Sequence, residues 1–346
     1  MSAPALRAAL ATLCDGGELT RDDAALAFDE IMAGQATPAQ IGAFLAALRA
    51  RGETVDVVVA AARAMRNHAE RVTTKRSPLI DTCGTGGDGA STISISTAAA
   101  LIAAGAGVAV AKHGNRGASG RFGGADVLEA LGVRIDLSPE DAGRCLDEVG
   151  IAFLFAPRMH PAMRHAGPVR RELGIRTVFN LLGPLTNPAG VTRQVIGVPS
   201  AEALRLVAGA LRELGGEHAL VVHSRDGLDE ISLGAPTDVI ELRDGVLTER
   251  VLTPADFGLR EVDAAELRVE TAAHSAEALR ALLEGRPGPM TDVVLANAAA
   301  ALYVAGRAAT LADGVEQARA AIRSGAARDA LDRLVAFTTS VEGAPA

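Results

Sequence analysis

Asp81-Thr82-Cys83-Gly84-Thr85-Gly86-Gly87-Asp88, directly behind the apolar pair Leu79-Ile80, is the stretch that decides the architecture. It reads as a strand running into a glycine-rich loop. Glycine lets backbone N–H groups converge on one anion without side-chain obstruction, so such a loop can wrap a phosphate; a tight turn is the plain alternative. Neither familiar nucleotide fingerprint fits. No Lys-Ser/Thr pair follows the last glycine, and the G-x-G-x-x-G spacing of Gly84, Gly86 and Gly89 encloses Asp88. A carboxylate there repels a bare pyrophosphate. It suits a loop in which a cation lies between the two, or one in which Asp88 accepts sugar hydroxyls. Downstream, Lys112-His113-Gly114-Asn115-Arg116 supplies a cation, an imidazole and an amide. Together the two stretches suggest a site for a phosphorylated sugar and a second, nitrogen-bearing substrate.

Working outward, residues 4–71 carry apolar spacings of three and four, which predict helices over 5–13, 21–33, 38–50 and 55–71. Thr20 before Arg21-Asp22-Asp23 and Thr37 before Pro38 are helix-start signals. Beyond the polar connector 73–78 the rhythm changes. Short apolar runs at 79–80, 108–111, 133–135, 151–155, 195–198 and 219–222 alternate with helical stretches, the pattern of a largely parallel α/β sheet. Ser96-Thr97 open an alanine-rich helix reaching about Ala104. Residues 239–252 predict a hairpin turning at Asp244-Gly245. Helical tracts follow at about 275–285, 291–305 and 311–336. The fold class is α/β: a small N-terminal helical domain plus a larger domain with a mainly parallel central sheet.

The 346 residues are long enough for one large or two modest cores, and 49% are apolar. There is no Trp and one Tyr, which argues against a stacking platform for single strands. A net charge of −8 argues against a general phosphate-backbone binder, so no nucleic acid is expected. The uncharged run 89–111 is broken by Ser, Thr and Gly, and no membrane span or secretory leader is expected. Cys14, Cys83 and Cys145 are too few and scattered for a disulfide framework, which fits a reduced, cytoplasmic setting. Cys83 reads as a small buried residue rather than a nucleophile. Asp229-Glu230 alone reads as a solvated acidic pair. Its place after the apolar run 219–222 and the turn Asp226-Gly227 puts it near a strand end, where α/β sites gather.

These motifs, in this order and spacing, resemble the anthranilate phosphoribosyltransferase family. The matching stretches are 81–88, 112–116, Ala125 to Gly132, Phe179-Asn180-Leu181-Leu182-Gly183-Pro184-Leu185-Thr186-Asn187-Pro188 and Asp226-Gly227-Leu228-Asp229-Glu230, so the resemblance covers essentially the whole chain. It implies phosphoribosyl transfer from 5-phosphoribosyl 1-pyrophosphate to anthranilate in tryptophan biosynthesis, with magnesium (Mg2+), by a homodimer paired through its helical domain. That domain would comprise 1–72 with a contribution from about 162–188, and the α/β domain 73–161 and 189–346.

Carried over by position, the donor-binding residues are Gly84, Gly87, Asp88, Thr92, Ser94, Ser96, Thr97, Lys112, Asn115, Ser119, Gly120 and Gly124. The acceptor-binding residues are Gly84, Asn115, Pro157, His160 and Arg170. Ser96, Asp229 and Glu230 fall at metal positions. No residue is assigned as acid or base, since an aromatic amine is already a neutral nucleophile; His113 takes a positioning role. Residues 180–188 read as a Gly-Pro turn that links the domains and shapes the acceptor channel. Three departures stand out. Ser94 replaces an Asn, and Phe122 and Gly124 replace hydroxyls, which predicts weaker donor binding. The competing readings are a pyrimidine nucleoside phosphorylase-like enzyme, which would carry Lys-His-Ser-Thr-Gly-Gly at the loop, a phosphoribosyltransferase for a related aromatic amine, and a nucleic-acid-binding relative without the acidic pair.

Overall fold

The computed structural model describes residues 3–117 and 122–341. Ser119 and Gly120, with Ala118 and Arg121, lie outside the described residues. The chain opens with α1 (Pro4–Cys14), α2 (Arg21–Met32), α3 (Pro38–Arg51) and α4 (Val55–Asn67). The start signals are used: the Thr20, Thr37 and Thr54 side chains each accept the backbone N–H three residues on, and Gln40 completes a capping box with Thr37. The three-and-four spacing brings Leu6, Phe28, Ile31, Phe44 and Leu48 into one core. Phe28 meets Phe44 and Phe179 edge-on at 5.4 and 5.9 Å. The fourth helix stops short of the expected Arg71. The Glu70 and Val72 N–H groups pair instead with the carbonyls of Met159 and Pro188.

Seven strands follow: β1 (Leu79–Asp81), β2 (Ala109–Gly114), β3 (Ile151–Phe155), β4 (Arg193–Gly197), β5 (His218–Ser224), β6 (Thr237–Arg243) and β7 (Val246–Leu252). They form one sheet in the order β3-β2-β1-β4-β5-β6-β7. The first five are parallel; β6 and β7 are antiparallel. The β6–β7 hairpin turns at Asp244 and Gly245, whose φ of 51° and 81° are what a two-residue turn demands.

Between and after the strands lie α5 (Ile95–Gly105), α6 (Gly124–Ala130), α7 (Pro139–Val149), α8 (Ala156–Met159), α9 (Met163–Leu173), α10 (Phe179–Leu182), α11 (Ala201–Glu213), α12 (Ala272–Leu283), α13 (Pro289–Val304), α14 (Leu311–Arg323) and α15 (Ala326–Ser340). Alternate strand residues feed two cores. Val195, Leu220, Val222 and Val239 join α5, α13, α14 and α15 on one face. Ile196, Val221, Ile240 and Leu242 join α11 and the N-terminal helices on the other.

Two further sequence expectations fail. Residues 133–135 form no strand. Their alternation is real, with Val133 and Ile135 buried, but the Arg134 N–H donates to the Thr338 hydroxyl of α15 at 3.2 Å rather than to a neighbouring strand. The tract 311–336 is two helices, because Gly325 takes a left-handed φ of 79° between them.

The strand order places the site. From β1 the chain steps outward to β2 and β3, then returns to the other side of β1 to build β4 and β5. The winding reverses between β1 and β4, and in open α/β sheets ligands bind at the carboxyl ends of the strands beside such a reversal.

Candidate active site

The glycine-rich loop leaves β1 at that reversal. Gly86, Gly87 and Gly89 have φ of 67°, 99° and 69°, conformations that side chains resist. Gly84 packs against the end of β4: a Cβ there would lie 3.0 Å from the Gly197 carbonyl oxygen, which also accepts the Thr85 N–H at 2.8 Å. The loop's far end is pinned by the Val269 N–H on the Ser91 carbonyl and the Ile93 N–H on the Leu267 carbonyl, with Thr92 bridging Arg268. The chain then enters α5, whose N-terminus faces the loop. Ser94 is its N-cap residue, and its hydroxyl donates to Thr97 at 2.8 Å.

The cation and the acids meet beside this helix end. Lys112, near the end of β2, is only 5% exposed. Its Nζ donates to the Ser96 hydroxyl at 3.2 Å and the Thr82 hydroxyl at 3.3 Å. It is therefore a buried, aimed cation and not a surface charge. Glu230 is held above the usual carboxylate range by burial and by Asp229, while Lys112 and the Ser96 N–H oppose the shift. Asp229 is raised by burial and then by Asp88, with the Gly86 N–H opposing. Thus Asp88, Lys112, Asp229 and Glu230 act on one another's charge, and Ser96 touches both Lys112 and Glu230. Among the described residues no cluster of three or more His, Cys, Asp and Glu forms a cage for a metal. Magnesium does not require one: it binds through one or two carboxylates and completes its shell with substrate phosphates and water.

A second group begins at His113, whose backbone N–H donates to Asp81 at the end of β1. His113 donates from Nδ1 to the Gly183 carbonyl at 2.8 Å, which leaves Nε2 as an acceptor without a protein partner. Burial pushes its pKa down to about 4, so it is neutral. His160 stacks edge-on against it at 5.0 Å, with neither ring nitrogen in a hydrogen bond of good geometry; burial and then His113 push its pKa down to about 3, against a partial pull from the Thr186 backbone. Arg170, on α9, lays its guanidinium 5.4 Å from the Phe179 ring centre, and no carboxylate lies within 4 Å of it among the described residues. It faces inward instead of forming a charged helix surface. Burial, then the nearby Arg176, works against its charge. Pro157 and Asn115 are exposed at the rim. Residues 180–188 support this side: Asn187 donates to Asp81 and to the Ala111 carbonyl, both at 2.8 Å.

Arg176 escaped sequence reasoning. Its guanidinium reaches the Gly86 carbonyl at 3.4 Å and occupies the place a Gly87 side chain would need. The only sequence signal was an arginine just ahead of the Phe179 motif. Arg116, by contrast, is spent on Asp126 and Glu129 of α6. Cys83 is partly buried and its thiol is pushed up by burial, which suits packing rather than attack. Of the three departures, Phe122 packs on the α/β core. Gly124 sits where a Cβ would lie 3.1 Å from the Thr97 hydroxyl.

Known proteins match this chain in sequence and fold. Residues 76–328 match the family model described as the glycosyl transferase family a/b domain, and residues 7–69 match its helical bundle domain. The anthranilate phosphoribosyltransferase of Thioalkalivibrio sulfidiphilus is 57% identical over 310 residues, which cover 90% of this chain and 92% of that protein. The crystal structure of the Thermus thermophilus enzyme superposes with a TM-score of 0.91 at 46% identity, covering 96% of this chain and 99% of that one. The Saccharomyces cerevisiae enzyme, solved with PRPP and Mg, superposes with a TM-score of 0.90 at 27% identity, covering 97% and 98%. A glycine loop at the winding reversal, an acidic pair beside a buried lysine and identity of this extent along the whole chain lead to one assignment: the chain belongs to the anthranilate phosphoribosyltransferase family.

Proposed function

We propose that the protein transfers the phosphoribosyl group of 5-phosphoribosyl 1-pyrophosphate to the amino group of anthranilate, releasing pyrophosphate, as a step of tryptophan biosynthesis. The observation that supports this most is the convergence of two unlike groups on one loop. Lys112, Ser96 and Asp229-Glu230 form one group; Arg170, near the Arg176 that touches Gly86, and the neutral His113–His160 pair next to Lys112 form the other.

In the reaction the bond from ribose C1 to pyrophosphate breaks and the bond from C1 to the amine nitrogen forms. Charge grows on the leaving group while C1 becomes cationic. The residues hold donor and acceptor in line and neutralise that charge. Backbone N–H groups of 84–89, the N-terminus of α5 and Lys112 would hold the phosphates. Asp229 and Glu230, whose repulsion is only partly offset, fit magnesium, the ion in the yeast enzyme's structure. Magnesium there would neutralise the departing pyrophosphate. Arg170 would pair with the acceptor carboxylate through two parallel bonds. His113 and His160 offer lone pairs to the amine without adding positive charge, and the amine's proton leaves to solvent after attack.

The donor set is Gly84, Gly87, Asp88, Thr92, Ser94, Ser96, Thr97, Lys112, Asn115 and Gly124, with Ser119 and Gly120 from outside the described residues. The acceptor set is Gly84, Asn115, Pro157, His160 and Arg170. We also propose a homodimer paired through the helical domain, where Leu26 on α2 is 60% exposed, and residence in the cytoplasm. No helix among the described residues is long and apolar enough to cross a membrane. No observation favours the nucleoside phosphorylase or the related-amine reading. Purified protein with donor, magnesium and anthranilate should abolish anthranilate fluorescence; unchanged fluorescence at high protein concentration would refute the assignment.

A further inference from the structure

The loop 225–236 that bears the acidic pair is anchored from two sides. Asn297, in the middle of α13, is 2% exposed. Its side chain makes a two-point contact with the backbone of Ile231, the residue after Glu230. Oδ1 accepts the Ile231 N–H at 3.1 Å, and Nδ2 donates to the Ile231 carbonyl at 2.9 Å. The other Nδ2 hydrogen goes to the Val293 carbonyl at 3.0 Å, which fixes the rotamer and the direction of the amide. Every other residue from Val293 to Leu302 is apolar and buried. An amide in such a helix is costly unless its bonds are made, and here both hydrogens and the oxygen are used.

On the opposite side stands Gly197, the last residue of β4. A Cβ on it would overlap the Asp229 carbonyl, so the acidic segment approaches as closely as glycine allows. The same Gly197 carbonyl holds the Thr85 N–H of the glycine loop at 2.8 Å. The acids and the donor loop are thus referenced to one point of the sheet.

We infer that Asn297 is a positioning residue for the acidic pair: its amide, working against the Gly197 notch, holds Asp229 and Glu230 in the pose that takes a divalent cation together with a diphosphate. This rests on the functional reading above. A core asparagine that served stability alone would leave the metal affinity of the folded protein unchanged.

Manganese binding followed by electron paramagnetic resonance, with pyrophosphate present and at one fixed pH, separates the two roles. Folded Asn297→Ala, checked by circular dichroism, should bind Mn2+ with pyrophosphate at least tenfold more weakly than the unaltered protein. The magnesium concentration for half-maximal turnover should rise by a similar factor, while the KM for anthranilate stays within twofold. A folded variant whose Mn2+ affinity is within twofold of the unaltered protein overturns the inference. Where Asn297→Ala does not fold, Asn297→Ser and Asn297→Asp, which each keep an oxygen toward the Ile231 N–H but lose the amide donor, are read by the same criterion. An unaltered protein that neither binds Mn2+ with pyrophosphate nor consumes anthranilate refutes the functional reading and the role of Asn297 with it. Normal behaviour in both the unaltered protein and the variants refutes Asn297 alone.

Discussion

The two halves of the site differ in how far their polar groups are satisfied by the protein itself. On the side proposed to hold the donor, Lys112 has two hydroxyl partners, Ser94 bonds Thr97, and Asn297 bonds the backbone next to the acidic pair. On the side proposed to hold the acceptor, His113 Nε2 and the Arg170 guanidinium have no such partner among the described residues, and His160 has none of good geometry. The donor half is organised before anything binds, which suits a step that needs fixed dipoles aimed at growing charge. The acceptor half leaves its polar groups to a ligand, so its loss should be felt in binding more than in architecture.

The largest test of that contrast removes charge from the organised half. Replacing Asp229 and Glu230 together with Ala should cut turnover by roughly 10³-fold, several kcal/mol of leaving-group stabilisation, with the fold retained because both are half-buried loop residues. Full activity with unchanged magnesium dependence would refute the metal assignment. Next comes the acceptor half. Arg170→Ala should weaken anthranilate use by about 2–5 kcal/mol and leave donor affinity nearly unchanged. Steady-state kinetics with each substrate varied would show the split, and a collapse of donor affinity alone would contradict it.

A third test uses protons. The native state keeps His113 and His160 neutral, with values near 4 and 3, against 6.5 in the open chain. Their contribution is complete above pH 6.5 and is lost as pH falls toward 4, where the unfolded chain binds protons that the native state refuses. Asp81, raised to about 6 by burial, acts with the opposite sign, losing its contribution as pH rises from 3.8 through 6. Asp229 and Glu230, also held above the carboxylate range, act with the sign of Asp81, so the imidazole contribution is read as a difference: His160 alone costs the protein on the order of 2 kcal/mol between pH 7 and 4.5 relative to a variant that lacks it. Denaturant titrations at both pH values should show His160→Asn gaining stability relative to the unaltered protein as pH falls from 7 to 4.5. An unchanged difference would mean that His160 titrates near its free value.

The smallest effects concern the departures. Phe122→Ser should lower stability by about 1–2 kcal/mol, since the ring is half-buried on the core. Ser94→Asn should tighten the donor by about 0.5–1.5 kcal/mol if its amide reaches a phosphate. Thermal unfolding and donor titration would separate the two; a donor gain from Phe122→Ser would show that the ring faces the ligand after all.

Much of this was legible locally. Helix starts at Thr20 and Thr37, the Asp244-Gly245 turn and the glycine loop are fixed by residues within a few positions of one another. The alternation at 133–135 misled because period two reports burial on one side, and α15 supplies that burial as readily as a strand would. Gly197, Asn297 and Arg176 carried no local mark. Each acquires its meaning from a partner that only the sheet order brings near. Phe122 read as a lost phosphate contact because sequence shows the missing hydroxyl and not the core that takes the ring.

The winding reversal has a consequence for the protein's birth on the ribosome. Thr85 meets Gly197 across 112 positions of chain, and Ile231 meets Asn297 across another 66. The glycine loop emerges early but cannot take its final shape until β4 has left the exit tunnel. The acidic segment stays unanchored until α13 follows. A nascent chain therefore displays Leu79 to Asp88 for most of its synthesis without the means to capture the donor, and binding competence arrives in one late step.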